Sequence, residues 1–396
     1  MTAPKYELAE VIHRFWDHMK GRLSAYQFGV LWALERCRTA ALGGHIDACG
    51  RLRISYNSCR NRHCPKCQGV NKEMFIIEQE ELLLPVAYYH VVFTLPHELN
   101  ELCLRNPKAM YGLLFESAWH TLNALAKDKN WLGAKTAATM VLHTWSQTLQ
   151  LHPHVHCIVP NGGLDKEGNW RYPSRSGADG EGRFLFPVAA MRKLYRGYFM
   201  AQLKGKIEGG ELDLPLYFPT GKAYKKWKDA LYQIDWVVYT KKPFSGVKKV
   251  VDYLARYSHR VALTNHRIKN ITEEEVTFEY KDYKDKAKKK LMTLKGEEFL
   301  RRFCLHILPK GFRKVRKYGL VSNASKKTDI PKARKALGFR LEIAISNRKE
   351  RKAKAMERLF GKNAHRCPYC KKGELKTVSI LPPERAPPIK AQRSHP

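Results

Sequence analysis

His152-Pro-His154-Val-His156 lies at the start of an apolar β-strand, read from His154 to Val159, which carries β-branched residues and is followed by the turn Asn161-Gly-Gly163. Successive strand side chains point to opposite faces, so His154 and His156 share one face while Val155 turns to the core. Two imidazoles side by side can chelate one divalent ion. A pair of exposed strand histidines has the same pattern, so the tripeptide by itself leaves both readings open. The candidates for a third ligand are Gln147, His143 and His90, on neighbouring predicted strands or loops, and His152, which has the same parity as the pair.

Working outward, Val86-Ala-Tyr-Tyr-His-Val-Val-Phe-Thr-Leu95 is a predicted strand stopped by Pro96. A helix follows at about 107–127. Thr139 to Trp145 is a strand joined to the histidine strand through Gln147-Thr-Leu-Gln150. Asp235-Trp-Val-Val-Tyr239 is another strand, and Val247 to His259 a helix. Strands alternating with helices predict a mixed layered core over 73–270, with 161–235 as an insertion of loops and a helix near 188–205. Residues 1–72 hold a helical lead-in, with Leu8, Val11, Ile12, Phe15 and Trp16 at helical spacing, and a cysteine cluster. Residues 271–345 form a basic accessory region that opens with a charged hairpin. Residues 346–396 hold a basic helix from Asn347 to Leu359, half a zinc ribbon and a Pro-rich disordered tail from Leu381.

Charge narrows the function. Lys and Arg number 72 against 37 Asp and Glu, a net charge of +35. A surface this basic attracts polyanions, of which nucleic-acid backbones are the commonest. At 44% hydrophobic and 11% aromatic residues the chain is not disordered, and it has no apolar run that spans a membrane. Met1 to Lys20 mixes acids and bases without an apolar core, unlike a secretory signal, so the cytoplasm is the expected compartment.

Ten cysteines in such a chain argue for metal rather than disulfides. Cys49, Cys59, Cys64 and Cys67 form C-x9-C-x4-C-x2-C, and the Cys64-Pro-Lys-Cys67 knuckle turns two thiolates toward one ion. Four protein ligands with no open position predict a structural, tetrahedral Zn2+ site. His45 and His63 are alternative ligands. Arg60 and Arg62 make the loop basic, so the site is expected to hold it against DNA. Cys367-Pro-Tyr-Cys370 repeats the knuckle with His365 just before it, and leaves open whether a second zinc binds. Cys37, Cys103, Cys157 and Cys304 are scattered and read as small core residues.

Tyr253-Leu-Ala-Arg-Tyr257 lies in the predicted helix, and residues four apart share one helix face. Two phenols then point into one place, with Arg256 and Arg260 beside them to hold phosphates. A tyrosine that attacks phosphorus keeps the bond energy in a covalent phosphotyrosine for rejoining. Core packing of two aromatics produces the same spacing.

Together these motifs resemble one family. Leu42-Gly-Gly-His45, Tyr56 to Gln68, Phe93-Thr-Leu-Pro96, His154-Val-His156, Tyr253 to Arg260 and Leu308-Pro-Lys-Gly-Phe-Arg-Lys-Val-Arg316 occur in the order found in the rolling-circle transposases of the insertion-sequence ninety-one family. These belong to the HUH endonucleases. The resemblance implies an α+β fold, an antiparallel sheet flanked by helices, with an N-terminal zinc-binding domain. It implies Mg2+ or Mn2+ on His154 and His156, nucleophiles Tyr253 and Tyr257, and a cut that leaves a 5′-phosphotyrosine and a free 3′ hydroxyl. It also implies single-stranded DNA at transposon ends and target DNA as partners, and a nucleoid-associated protein in a bacterial cytoplasm. A plasmid rolling-circle replication initiator or relaxase is the alternative within the same chemistry. A zinc-dependent binding module without catalysis is a third reading, in which Tyr253 and Tyr257 would be dispensable.

Overall fold

The computed structural model describes residues 4–173, 185–244, 249–251, 253–254, 261–339, 344–361, 367 and 369–384. The lead-in is two helices, α1 (Leu8–Phe15) and α2 (Ala25–Glu35). Leu8, Val11, Ile12 and Phe15 form the buried stripe of α1, and a capping box between Ser24 and Gln27 starts α2. A hairpin, β1 (Gly44–Ala48) and β2 (Leu52–Tyr56), and helix α3 (Gly69–Leu82) come next.

The centre of the chain contributes β3 (Tyr88–Thr94), α4 (Asn100–Arg105), α5 (Pro107–Lys127), β4 (Ala137–Trp145), β5 (Leu151–Pro160), the small hairpin β6 (Gly163–Leu164) and β7 (Trp170–Arg171), α6 (Val188–Glu208), α7 (Gly221–Gln233) and β8 (Val238–Phe244). The C-terminal half adds β9 (Ile268–Ile271), β10 (Glu275–Asp282), β11 (Lys288–Lys295), α8 (Gly296–Cys304), β12 (Val315–Gly319), α9 (Lys326–Ala336), α10 (Arg348–Phe360) and β13 (Lys376–Leu381).

The architecture is α+β. Its main sheet has five antiparallel strands in the order β12-β4-β5-β3-β8, so the histidine strand β5 is central. Val91, Phe93, Met140, Leu142, Val155, Cys157 and Val159 face one side and pack on Leu114, Phe115 and Leu122 of α5 and Tyr195 and Phe199 of α6. The opposite face carries His90, His143, His154 and His156 and, further along, Tyr88, Ala137 and Ile158, which pack on Ile330 and Ala333 of α9.

Two features go beyond the sequence reading. The stretch 161–235, read as an insertion of loops and a helix, packs into the main core through Met191, Tyr195, Phe199 and Leu203 of α6, and α7 adds a second helix. The sheet also takes its edge strand β12 from the stretch read as an accessory region. Val-Arg-Lys-Tyr-Gly is too polar to announce a strand, yet Arg316 stacks its guanidinium over Phe115 at 4.4 Å and Tyr318 stacks on Trp119 at 5.2 Å. Long amphipathic side chains thus do the covering that aliphatic ones do elsewhere.

The stretches 1–72 and 271–345 share one core, in which Leu8, Ile12, Phe15 and Leu31 meet Val276, Phe278, Phe299 and Phe303. The C-terminal part folds back as well. β13 pairs with β1, and α10 packs along α3, where Arg358 contacts Glu73 and Glu80 and Lys354 contacts Glu81.

Gly296, the first residue of α8, abuts the ring of the fully buried Phe15, so an added Cβ would overlap it. Gly296→Ala is expected to destabilise the fold by about 1–3 kcal/mol through overpacking. A thermal melt of the variant checks this, and an unchanged midpoint would remove Gly296 from the joint between the two stretches.

Candidate active site

The antiparallel register of β4 and β5 sets His143 directly opposite His154, and Val141 opposite His156. Cross-strand neighbours on one face come close enough to touch. The ring centroids of His143 and His156 are 4.6 Å apart, and those of His154 and His156 are 4.8 Å apart. One nitrogen from each of His143, His154 and His156 lies within 4.8 Å of the other two. His143 and His156 are buried, and His154 is half-buried. His154 donates its Nδ1–H to the carbonyl of His152 at 2.7 Å, which presents Nε2 as the ligand nitrogen. Trp145 stacks on His143 at 4.5 Å and fixes its ring.

Of the four candidates for a third ligand, His143 joins the pair. His152 is exposed beside His154, and Gln147 lies in the turn, where its carbonyl accepts from Arg267. His90 sits on the far side of His156, with Nε2 2.9 Å from Nδ1 of His156. The direct facing of His143 and His154 across a short connection was the signal for the third ligand.

Tyr253 comes to this side of the sheet from a helical stretch that includes Val250, Val251 and Leu254, whose side chains anchor in the core with Ile330. The phenol is buried, its oxygen 2.7 Å from His90 Nε2 and 3.2 Å from His156 Nδ1. In the arrangement these contacts favour, Tyr253 donates O–H to His90 Nε2 and His156 donates Nδ1–H to the phenol oxygen. His156 Nε2 is then the nitrogen suited to a cation. Burial, with the charges of Lys241 and His154 adding to it, pushes His90 down to about 3, so the ring is neutral and able to accept. Tyr257, Arg256 and Arg260 lie outside the described residues.

The thiols are grouped differently from the spacing-based expectation. Cys37, Cys59, Cys64 and Cys67 form a four-sulfur cluster, and Cys49 is not in it. Cys59 follows the base of the β1–β2 hairpin, whereas Cys49 is at its tip, five residues of strand away, or roughly 16 Å at about 3.3 Å per residue. The nine-residue gap hides that strand. Cys37, read as a core residue, takes the place, just past the end of α2. The Cys59 and Cys67 sulfurs are 3.7 Å apart, close to the ~3.8 Å edge of a tetrahedron with Zn–S bonds of about 2.3 Å. Backbone N–H groups of Asn61 and Lys66 point at Cys59 and Cys64, and that of Cys59 at Cys37.

Hydrogen bonding among the thiols, from Cys59 first, holds Cys37 far below the ordinary thiol value, while Cys37 holds Cys64 far above it. Four close sulfurs cannot all ionise without a cation among them. Neither alternative ligand joins the group. His45 pairs with Asp47 at 3.2 Å, and His63 is half-buried, outside the sulfur group, and pushed down to about 3, mainly by desolvation. Cys49 lies beside Cys367 and Cys370. His365 is outside the described residues.

A basic groove runs from this loop along the β12 edge. Arg62, Arg313, Lys314, Arg348 and Arg351 line a cavity of about 520 Å³, and Phe75, Phe312 and Arg313 continue it into a second of about 1000 Å³. Lys314 also lies over Trp145 at 5.0 Å, so the groove reaches the ring that stacks on His143. Arg62 donates to the carbonyl of Phe312, and Arg60 is exposed in the loop before it. No described helix is long and apolar enough to cross a membrane.

Two family models match the chain. One, described as "Transposase zinc-binding domain", covers residues 8–95, and one described as "Putative transposase" covers 137–328. The chain is 37% identical over 393 residues to "Putative transposase y4qJ" of Sinorhizobium fredii, covering 96% of this chain and 97% of that protein. It is 27% identical over 337 residues to "Transposase for insertion sequence element IS801" of Pseudomonas savastanoi pv. phaseolicola, covering 81% and 77% respectively. No solved structure gives a significant match. The four-thiol cluster and the zinc-binding model together support Zn2+.

Two outcomes follow from this geometry. His143→Ala is expected to weaken Mn2+ binding by about tenfold or more, as His154→Ala does, while His152→Ala leaves it within about twofold. Isothermal titration of Mn2+ decides this, and equal loss in all three variants would break up the triad. Cys37→Ser is expected to lose one zinc per chain and to loosen the α1–α2 region, seen as faster amide exchange there. Full zinc content in Cys37→Ser would return Cys37 to the core.

Proposed function

Because the chain belongs to the insertion-sequence ninety-one family of transposases, with an N-terminal zinc-binding domain, we propose that it cuts and rejoins single-stranded DNA through Tyr253 during rolling-circle transposition. The observation that carries this reading is the phenol oxygen of Tyr253, 3.2 Å from Nδ1 of His156 and therefore one imidazole away from the three-histidine group. The family acts on DNA. The tyrosine nucleophile, the divalent metal and the strand preference are the proposal.

His143, His154 and His156 would hold Mn2+ or Mg2+, and the donor set fits, with one imidazole nitrogen from each converging on one point. When bound, such an ion neutralises charge on the scissile phosphate. The remaining work falls to the chain. Tyr253 places its oxygen beside that phosphate, and His90, 2.7 Å away, accepts the phenol proton as the oxygen attacks. The new bond joins phosphorus to the phenol oxygen, and the bond to the 3′ oxygen breaks. The departing 3′ oxygen takes up the proton that passes through His90, whose low basicity keeps it from retaining one, and becomes a free 3′ hydroxyl, while the 5′ end stays on the enzyme as a phosphotyrosine. Reversal by another 3′ hydroxyl rejoins the strand. Tyr257, four residues on in the sequence, is the candidate for a second transfer, with Arg256 and Arg260 as phosphate contacts.

The groove lined by Arg62, Lys314, Arg348 and Arg351, with Phe75 and Phe312 in its walls, suits an unpaired strand. Cations track the phosphates and rings can stack on bases. It reaches Trp145 beside His143, so a strand lying in it would lead to the histidines.

The test is incubation with labelled single-stranded element ends and metal, followed by a denaturing gel and peptide mapping of the adduct. A DNA-linked peptide containing Tyr253 or Tyr257 is expected, and Tyr253→Phe with Tyr257→Phe together should form none. Since all three proposed ligands are imidazoles, Mn2+ is expected to support cleavage better than Mg2+, which prefers oxygen. His154→Ala and His156→Ala should each abolish cleavage while binding, spread over many cations, persists with a steep salt dependence. Adduct formation by the double Phe variant would refute the reading.

A further inference from the structure

We infer that Cys49, Cys367 and Cys370 form a second zinc site, which clamps the C-terminal strand β13 onto the N-terminal hairpin. The three sulfurs lie within 4.8 Å of one another, and Cys49 and Cys370 are 3.7 Å apart. That is the separation of Cys59 and Cys67 in the four-thiol cluster, and again close to the ~3.8 Å edge of a zinc–thiolate tetrahedron.

The backbone around the three sulfurs has the shape of a metal knuckle. Lys371 N–H donates to the Cys367 carbonyl at 3.0 Å, and Cys367 N–H to the Gly373 carbonyl at 2.8 Å, closing a tight loop. Lys371 adopts φ +56°, a left-handed conformation that a lysine tolerates only where the loop demands it. Gly373 donates N–H to Cys370 Sγ at 3.3 Å, as amides do to the sulfurs of the four-thiol cluster. A Cβ at Gly373 would stand 2.5 Å from Cys49 Sγ, so only glycine lets the loop close over the hairpin tip.

The surroundings explain why a metal is needed. β13 pairs with β1 from Gly44–Leu381 to Ala48–Lys376, yet every β13 side chain except that of Leu381 is exposed, and so are four of the five in β2. A three-stranded sheet with so little buried apolar surface gains little from the hydrophobic effect, and such small units are held by staples. The Asp47–Thr377 hydrogen bond at 2.8 Å is a single side-chain tie between the strands. Three thiolates converging from both ends of the chain supply the missing link. The fourth zinc position goes to a water.

The test uses the full chain with His154→Ala and His156→Ala, so that the histidine cluster takes up no zinc, purified under a thiol-free reductant. Elemental analysis is expected to find two zinc ions per chain, falling to one with Cys49→Ser and, separately, with Cys370→Ser. The unmutated chain supplies a second reading. Cys370 is exposed, so a bare thiol there alkylates at once with iodoacetamide, whereas a zinc-bound one is protected until a chelator is added. Removal of this zinc should speed amide exchange in β13 while α5 is unchanged. One zinc per chain in the parent, a count unmoved by Cys49→Ser and Cys370→Ser, or immediate alkylation of Cys370 before chelation would overturn the inference.

Discussion

The pairing register of β4 with β5 is the constraint on which the rest of the site depends. It sets His143 opposite His154, and it holds Val155 and Cys157 in the apolar layer under α5 and α6. A slip of β5 by one residue would carry His154 and His156 into that layer and Val155 and Val159 out of it, and would part the pair from His143 on β4. The register is held by burial: Leu142, Val155, Cys157 and Val159 are inaccessible on one face, and the slipped alternative would bury polar rings there without partners. The same packing that stabilises the sheet therefore orders the ligand group.

Burial also determines what the site can do chemically. His90 and His156 lie in a low-dielectric setting, where desolvation keeps His90 neutral and its nitrogen available to the Tyr253 phenol. Tyr253 itself is anchored through its neighbours in the core with Ile330 and Ala333 of α9, so a helix far along the chain positions it. Outside this pocket arginines and a lysine line the groove, and that lysine, Lys314, lies over Trp145. A buried histidine cluster beside a cationic groove offers a polyanion both a track for its backbone and a desolvated pocket next to it.

The chain closes on itself at several places distant from that centre. The two N-terminal helices share a core with β10 and α8, α10 lies along α3 through ion pairs to Glu73, Glu80 and Glu81, and β13 completes the sheet begun by β1. Sulfur clusters stand at two of the seams. The groove is lined from both ends of the chain, by Arg62 on one side and Arg348 and Arg351 on the other, so its shape depends on these closures.

Local sequence pattern by itself determined the elements: the helix at 107–127, the histidine strand, the charged hairpin and the basic helix after Asn347 all follow from periodicity, turn residues and caps, which act over a few positions. It also determined the chemical inventory, the histidine pair on one strand face and the thiol-rich loop. Tertiary structure alone decided which of these meet. Cys37 rather than Cys49 completes the four-thiol cluster because a strand's length separates the hairpin tip from its base. The polar β12 becomes a sheet edge because Phe115 and Trp119 offer rings for Arg316 and Tyr318 to cover. α6 enters the core, and His90 reaches Tyr253, through contacts more than 90 residues apart in the chain. Those outcomes depend on burial and register between distant segments, and no window of neighbouring residues carries that information.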